Sequence, residues 1–225
     1  MFKTETHLHT LEVSPCGKIN AEDMVKLYHE QGYSTVCISD HVKQEYFDKM
    51  GDISWKKKVD AVLRGCYKAK KVAKKYGVKV ITSAELLLEK SRPNHYLIYG
   101  NTKKFLYNHP NCCKMGIEEF YKIANENGIL VIQAHPFRDD KNYPTPNFVH
   151  GFEIFNSNPR HEDYNEKAKT TAIDNGLFMV AGSDAHRLED VAKSGIATEK
   201  IIKTSKDLIK VIKSGKFEII GDKNL

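Results

Sequence analysis

The sequence predicts an α/β fold built around a parallel sheet, and three observations indicate it. Short apolar runs alternate with helical patterns along the chain. Four helical runs are followed by a glycine, as is typical of helices that end in a left-handed residue: Gly32, Gly77, Gly128 and Gly176. His, Asp or Glu residues follow several of the apolar runs, at the edge where parallel sheets gather their ligands.

Eight segments have the short apolar pattern of strands: 2–8, 35–39, 78–84, 96–99, 129–133, 152–155, 178–181 and 217–220. Seven or eight strands that alternate with helices favour closure of the sheet into a barrel, although an open sheet has the same sequence pattern. The chain has 225 residues, of which 40% are hydrophobic. That length suffices for one sizeable core, so we expect a single domain over residues 1–225.

Five segments have the apolar spacing of helices: 21–31, 56–76, 117–127, 162–174 and 205–213. Asn20 is a suitable N-cap for the first helix, with Glu22 and Asp23 in its opening turn. The helix at 56–76 carries many of the lysines behind the net charge of +6. They fall mainly opposite its apolar stripe, which indicates a solvated helix face and not a nucleic-acid surface.

The composition also bears on the cellular setting. No apolar run approaches the roughly 20 residues that a membrane span requires. The amino terminus, MFKTETHLHT, lacks the apolar stretch of a secretion signal. The five cysteines are odd in number and form no CxxC pair, which is typical of reduced thiols. We therefore expect a cytoplasmic protein without a membrane association.

Metal-ligand residue types follow the predicted strands. His7 and His9 alternate at the end of the first strand, so both imidazoles point to one face. Asp184 and His186 repeat that spacing after the segment 178–181. Three further strand ends each supply one such residue: His41, Glu85 and His135. Because these ends meet at one edge of a parallel sheet, we predict a multinuclear metal site there.

The fragments HLH, SDH, HYLIYG, AHP and GSDAH, together with the strand-end Glu, resemble the motifs of the PHP (polymerase and histidinol phosphatase) superfamily. The resemblance runs from His7 to about His186. It implies a distorted seven-stranded, TIM-like β/α barrel with two or three divalent ions, typically zinc, manganese or iron. The metal-ligand positions of the family match at His7, His9, His41, Glu85, His95, His135, Asp184 and His186.

Two positions depart from the family pattern. The family has another ligand shortly after HxH, and Glu12 is our candidate for it, with Cys16 as the alternative. Glu5 and Thr6 stand where the family often has Asp and Leu, and we interpret Glu5 as a residue that supports the ligands. By the resemblance, three ions would be held by His7, His9, Glu85 and Asp184, by Glu85, His95 and His135, and by Glu12, His41 and His186.

The resemblance implies a metal-dependent phosphoesterase that hydrolyses a small phosphomonoester, such as histidinol phosphate, a nucleotide or a sugar phosphate. Two cations about 3.5–4 Å apart activate a bridging water, and the resulting hydroxide attacks phosphorus. Asp184, His41 and His186 are candidates for passing a proton to the leaving group. Three basic residues in predicted strand-end loops are candidates for binding the phosphate: Arg138, Arg160 and Lys18.

Three alternatives stay open. An oligonucleotide exonuclease or phosphodiesterase would use the same metals, but Tyr107, Tyr143 and Phe148 are not interleaved with basic residues as a stacking groove requires. We therefore expect no stable nucleic-acid partner. An amidohydrolase-type C–N hydrolase commonly has a bridging Lys where this chain has Glu85. A non-catalytic, metal-binding PHP domain would have lost several ligands. The sequence leaves the oligomeric state open.

Overall fold

The computed structural model describes residues 1–221. Within that range the strands are β1 (Phe2–Leu8), β2 (Tyr33–Ile38), β3 (His41–Lys43), β4 (Lys79–Thr82), β5 (Ala84–Leu87), β6 (His95–Tyr99), β7 (Leu130–Ala134), β8 (Gly151–Asn156), β9 (Phe178–Gly182), β10 (Gly195–Thr198) and β11 (Glu218–Ile220). The helices are α1 (Ala21–Glu30), α2 (Gln44–Lys49), α3 (Trp55–Val62), α4 (Arg64–Tyr76), α5 (Thr102–Asn108), α6 (Ile117–Glu126), α7 (Asn165–Asp174) and α8 (Ser205–Ser214).

The strands form two sheets, with the orders β11-β10-β1-β2-β4 and β3-β5-β6-β7-β8-β9. The expectation of a parallel sheet is only partly right. β1, β2 and β4 run parallel, as do β7, β8 and β9, but β6 is antiparallel to both of its neighbours. The segment between β5 and β6 is too short for the helical crossover that a parallel pair requires, so the chain reverses there.

The fold is a mixed α/β fold, and its sheets do not show the closed seven-stranded barrel. The chain steps from one sheet to the other four times, between β2 and β3, β3 and β4, β4 and β5, and β9 and β10. Leu8 at the end of β1 and Ala185 after β9 form an isolated parallel bridge that joins the two sheets. The predicted strand at 78–84 is interrupted at Ser83, where β4 ends and β5 follows. His41 opens β3 and Glu85 is the second residue of β5, so neither residue ends the strand before it.

The predicted helix at 56–76 is likewise two helices, α3 and α4, which meet at Leu63. The break lets α4 approach the loop after β1. A Cβ added at Gly65 would lie 2.1 Å from Thr10 Oγ1 and 2.4 Å from Asp40 Oδ2, so only glycine allows this approach. The elements without a predicted counterpart, β3, β10, α2 and α5, are all seven residues or shorter.

Apolar side chains from the helices pack onto the sheets in three buried clusters. Tyr28 and Met24 of α1, for example, are fully buried in the cluster that includes β1 and α4. The buried polar groups are distributed differently. Imidazoles and carboxylates that are no more than 1% exposed include His7, His9, Glu85, His135, Glu153 and Asp184. Burial of charge is costly unless the charge is paired or binds a metal, so this cluster requires a separate explanation. No helix within residues 1–221 is long and apolar enough to cross a membrane.

Candidate metal centre

Glu85 is the hub of the polar cluster. Five ring nitrogens lie within 3.5 Å of its carboxylate oxygens: His41 Nδ1 at 2.7 Å, His95 Nδ1 and His135 Nε2 at 3.1 Å, His9 Nε2 at 3.4 Å and His7 Nε2 at 3.5 Å. His95 opens β6, yet it reaches this hub because β6 runs antiparallel. The structure therefore brings together the His and Glu ligands predicted at four strand ends, and it adds His95, which the family resemblance implied.

Asp184 completes the cluster from the loop after β9. Its Oδ1 lies 3.2 Å from His9 Nε2 and 3.3 Å from His7 Nε2, while its Oδ2 accepts a hydrogen bond of 2.7 Å from Arg138. The backbone of Asp184 has a φ of 48° and that of His135 a φ of 31°. Non-glycine residues adopt such left-handed values at a cost, and strained residues of this kind are enriched at functional sites.

The donor atoms fit a divalent cation better than they fit one another. His7 Nε2 and His9 Nε2 lie only 3.1 Å apart. Glu85 Oε2 and His95 Nδ1 are buried and make no hydrogen bond, although His41 Nδ1 lies 2.7 Å from that oxygen and Glu85 Oε1 lies 3.1 Å from that nitrogen. Three groups hold ligand atoms that all lie within 4.8 Å of one another: His7, His9 and Glu85; His41, Glu85 and His95; and His9, His41 and His186. Imidazole and carboxylate are the ligands that zinc, manganese and iron accept, so the residues fit these metals.

A second layer fixes the orientation of the imidazoles. Glu153 is fully buried, and its Oε1 lies 2.9 Å from His7 Nδ1. Its Oε2 accepts hydrogen bonds from the backbone N–H of His135 and from Asn156 Nδ2. A carboxylate on one ring nitrogen leaves the other nitrogen free for a metal, an arrangement typical of metal-binding histidines.

Two further carboxylates support the loops that carry the ligands. Glu5 accepts hydrogen bonds from the backbone N–H groups of His7 and Ser183 and from the Tyr28 hydroxyl, and burial raises its pKa to about 7. Asp40 accepts from the backbone and the hydroxyl of Thr10, and from Ser14. Neither carboxylate lies among the three ligand groups, so both act on the site through the backbone around it.

The charges of the cluster perturb one another. Burial lowers the pKa of His7, but the surrounding carboxylates outweigh it and raise that pKa well above its usual value. For Glu85 burial would raise the pKa, but the neighbouring imidazoles hold it well below the normal range. Burial together with the nearby Arg138 charge lowers the pKa of His135 to about 3. Such opposed shifts within one cleft are typical of functional sites.

The residue after the HxH motif differs from the first expectation. Glu12 lies outside the cluster, where its carboxylate accepts from the backbone N–H of Ala21 and lies 3.4 Å from Lys68 Nζ. The chain turns directly after Thr10, and this turn directs Glu12 to the start of α1. Cys16, the alternative, lines the same cavity as His41 and His186. Burial would raise the pKa of its thiol, but hydrogen bonds with both imidazoles outweigh it and lower that pKa to about 6.

The three residues expected to bind phosphate all line a cavity of about 370 Å³ above the cluster. Arg138 is engaged with carboxylates, since it donates to Asp163 at 2.7 Å and to Asp184 at 2.7 Å. Arg160 makes a two-pronged pair with Asp190, with distances of 2.7 and 2.6 Å. Lys18 is exposed, and its side chain hydrogen-bonds only to the backbone carbonyl of Pro15 within the described part of the chain.

Arg187 also lines this cavity, and sequence reasoning missed it. Its side chain is 46% exposed, and its nearest carboxylate is Glu189 at 3.9 Å. The signal was available, because Arg187 directly follows His186 of the GSDAH motif. Asn158 and His161 also line this cavity, and the sequence did not indicate either as a site residue.

The sequence and the fold were compared with known proteins. The PHP-associated family model matches residues 162–217. No protein with curated annotation matches the sequence at a significant level. A two-domain protein from Bacteroides vulgatus that contains a predicted PHP-like metal-dependent phosphoesterase is similar in structure, with a TM-score of 0.68 and 13% identity over 97% of this chain. The chain spans 64% of that protein, which is less than two thirds of its length.

Two other solved structures are similar at low identity. The lesion-specific endonuclease EndoQ from Pyrococcus furiosus has a TM-score of 0.65 and 16% identity, covering 97% of this chain and 57% of its own. An amidohydrolase from Chromobacterium violaceum with bound sulfate has a TM-score of 0.53 and 13% identity, covering 84% of this chain and 89% of its own. The resemblance to PHP proteins inferred from the motifs is thus confirmed at the level of the fold.

Proposed function

We propose that the chain is a metal-dependent phosphoesterase that hydrolyses a small phosphomonoester, using two or three ions of zinc, manganese or iron. The observation that carries the proposal is the Glu85 carboxylate, which has five imidazole nitrogens within 3.5 Å and one oxygen without a hydrogen-bond partner. A carboxylate so placed is suited to bridging two cations. The phosphoesterase neighbours support a hydrolase of this kind.

When bound, the ions would supply a water activated for attack and positive charge for the phosphoryl oxygens. The protein's own part begins with orientation. Glu153 Oε1 orients the His7 ring through its Nδ1. Arg138 donates a hydrogen bond to Asp184 Oδ2, and Asp184 Oδ1 then faces His7 and His9. Because both second-layer groups are buried or nearly so, the ligand geometry is fixed before substrate binds.

His41 and His186 are the better candidates for donating a proton to the leaving oxygen. Both line the open cavity, where their side chains are 20% and 11% exposed. Asp184 is only 1% exposed, and its two oxygens already contact imidazoles and Arg138. A proton donor must reach the substrate, and this requirement favours the two histidines.

The substrate's phosphate would meet exposed cations at the rim. There Lys18 Nζ donates to a backbone carbonyl and Arg187 has its nearest carboxylate at 3.9 Å, whereas Arg138 and Arg160 form close pairs with carboxylates. We therefore assign the first contact with phosphate to Lys18 and Arg187. We assign Arg138 to positioning Asp184, although the sequence favoured it as a phosphate ligand. Arg160 retains its outer N–H groups for a secondary contact.

The cavity favours a monoester over an oligonucleotide. A volume of about 370 Å³ suits a small ligand. Among the described residues, its wall contains no Tyr, Phe or Trp on which a base would stack. Histidinol phosphate, a nucleotide and a sugar phosphate are all of suitable size. The endonuclease and the amidohydrolase among the neighbours keep phosphodiester and C–N substrates as alternatives to test.

The test combines metal analysis with a substrate panel. The purified chain is loaded with zinc, manganese or iron, its bound metal is counted, and phosphate release is measured from phosphomonoesters. A phosphodiester, an oligonucleotide and a set of amides serve as competing substrates. Release from monoesters that EDTA abolishes and metal restores is the expected result.

Each other outcome redirects the assignment. Turnover of diesters alone would replace the monoesterase proposal with a phosphodiesterase, and turnover of amides alone with a C–N hydrolase. Two or three bound ions without any turnover would mean a non-catalytic metal-binding domain. A protein that binds no metal would show that the Glu85 cluster has been misinterpreted.

A further inference from the structure

A second cavity lies at the end of the sheets opposite to the metal centre. Gly100 and Gly128 line it, and they lie just after β6 and shortly before β7. The metal centre instead uses His95 at the start of β6 and His135 just after the end of β7. The two sites share no lining residue, and Gly100 of the second cavity lies at the opposite end of β6 from His95. The second cavity has a volume of about 900 Å³, enough for a nucleotide.

The wall of this cavity is strongly basic. Six lysines line it and no carboxylate does, within the part of the chain that the structure describes: Lys70, Lys103, Lys203, Lys206, Lys210 and Lys213. Lys103 is paired with Asp60 at 3.0 Å. The ammonium groups of the four lysines on and before α8 have no carboxylate within 4.0 Å among residues 1–221, although the backbone N–H of Lys203 donates to Asp207 at 3.3 Å. Lys206, Lys210 and Lys213 follow helical spacing on one face, where like charges repel until an anion joins them.

Two hydroxyls at this cavity have no hydrogen-bond partner. Thr102 lines the cavity, is only 1% exposed, and its Oγ1 makes no hydrogen bond. Ser205 lines it too, and its Oγ is likewise buried and unpartnered. A buried hydroxyl without a partner is costly, and native proteins rarely leave one unexplained. Two such groups beside four unpaired lysines indicate a missing acceptor.

The amino terminus of α8 adds backbone donors at the same place. Thr204 caps this ten-residue helix by accepting from the N–H of Asp207, and Asp207 Oδ2 accepts from the N–H of Thr204. That exchange uses the third N–H of the helix, whereas the N–H groups of Ser205 and Lys206 belong to the open first turn. Helix amino termini attract phosphate through such donors and through the helix dipole.

Apolar side chains form the remaining wall. Val80, Ile81 and Ile209 line the cavity beneath the lysines. An inorganic anion gains nothing from contact with an apolar surface, whereas the base of a nucleotide packs against one. We propose that this cavity is a second binding site for a nucleotide-sized organic phosphate. Its phosphates contact Thr102, Ser205 and the α8 lysines, and its apolar part lies on Val80, Ile81 and Ile209.

The test follows the amide resonances of Ser205 and Lys206 in the zinc-loaded chain of 225 residues. The probe is methylene-bridged ADP, which has no anhydride bond to hydrolyse, and it is compared with pyrophosphate and adenosine. We expect a saturable shift of both amides with methylene-bridged ADP, weaker binding of pyrophosphate and no shift with adenosine. Because the readout is local and needs no turnover, it is independent of whether the metal centre is a phosphoesterase.

Two variants and one control decide the assignment. Lys210→Gln is expected to weaken binding of the probe about fivefold, the usual size for one partly solvated charge contact. Thr102→Val keeps the shape but removes the unpartnered hydroxyl, so affinity should fall while thermal stability holds or rises. Lys74→Gln removes one exposed charge from α4 outside the cavity and should change nothing.

Three results would overturn the proposal. The first is no movement of the Ser205 and Lys206 amides at saturating probe. The second is shifts confined to residues of the metal centre, which would mean that the probe binds only there. The third is equal weakening by Lys74→Gln and Lys210→Gln, which would mean that the lysines attract anions only through diffuse surface charge.

Discussion

The two ends of the sheets hold polar groups in opposite ways. At the metal centre, imidazoles and carboxylates are buried and face one another, with Glu85 and Asp184 only 1% exposed. At the second cavity, the three lysines of α8 are exposed, and their ammonium groups have no carboxylate within 4.0 Å among the described residues, although Lys103 is paired with Asp60. Buried charge persists only where it is paired or binds a metal, whereas exposed charge costs little. The first end therefore depends on its ligand for structure, and the second does not.

The largest effect should come from removing one imidazole at the buried end. His9 lies in two of the three ligand groups, so His9→Ala should lower phosphomonoester turnover by on the order of 1000-fold or more. The measurement is the steady-state rate in protein whose metal content has been counted. His29→Ala removes an exposed imidazole from α1 and should leave the rate unchanged. A near-normal rate in a fully loaded His9→Ala variant would refute the metal-centre assignment.

Removing the metal should destabilise the protein as a whole. A ligand present at 1,000 times its Kd stabilises the folded state by about 4 kcal/mol. For a domain of this size that corresponds to a fall of about 10 °C in Tm on chelation. Thermal unfolding with and without EDTA, followed by readdition of zinc, measures it. An unchanged Tm in protein shown to lose its metal would mean that the metal centre, like the second cavity, does not depend on a bound ligand for its stability.

The second layer should have an intermediate effect. Glu153→Gln keeps the shape of the side chain but replaces the carboxylate beside His7 Nδ1, so metal affinity should fall roughly 10–100-fold. Competition with a chromogenic chelator gives the affinity, and circular dichroism checks the fold. Glu166→Gln, on the exposed surface of α7, is the matched control. Equal affinities for the two variants would show that Glu153 only fills space.

The sequence reveals much of the first end because its geometry follows simple periodicity. Alternate residues of a strand share a face, which sufficed to place His7 and His9 together. The rule of strand ends predicts His95 less well, since His95 opens a strand and joins the site only because β6 runs antiparallel. No local pattern reveals that reversal, and for the same reason the mixed sheet order was not predicted.

Loop conformation is the other part that the sequence did not determine. Glu12 was preferred to Cys16 as a ligand on residue type, but the turn after Thr10 directs Glu12 to the first N–H of α1. Arg138 was expected to bind phosphate, but its guanidinium instead donates to Asp163, which lies 25 residues away along the chain. The second cavity is hidden from sequence reasoning altogether, because its lysines look like an ordinary solvated helix face.

The smallest effect should come from an exposed cation at the rim of the metal centre. This residue, Arg187, is exposed in the same way as the lysines of the second cavity. Arg187→Gln should raise KM for phosphomonoesters roughly three- to tenfold, because an exposed charge contributes little. Metal content and kcat should hold, since Arg187 touches no ligand carboxylate within the described chain. Arg138→Ala should instead lower metal content, because Asp184 loses its partner.

Kinetics and metal counts on the same preparations separate these two arginines, with Arg92→Gln, which lies outside the lining of this cavity, as the control. If Arg187→Gln left KM unchanged while Arg138→Ala raised KM at full metal content, the assignments would be reversed. Arg138 would then be the phosphate ligand that the sequence indicated. The phosphate-binding cation of this cavity would then be paired with carboxylates before the substrate binds, as the groups of the buried cluster are. The difference between the paired charges of the metal centre and the unpaired lysines of the second cavity would in that case include the rim residues.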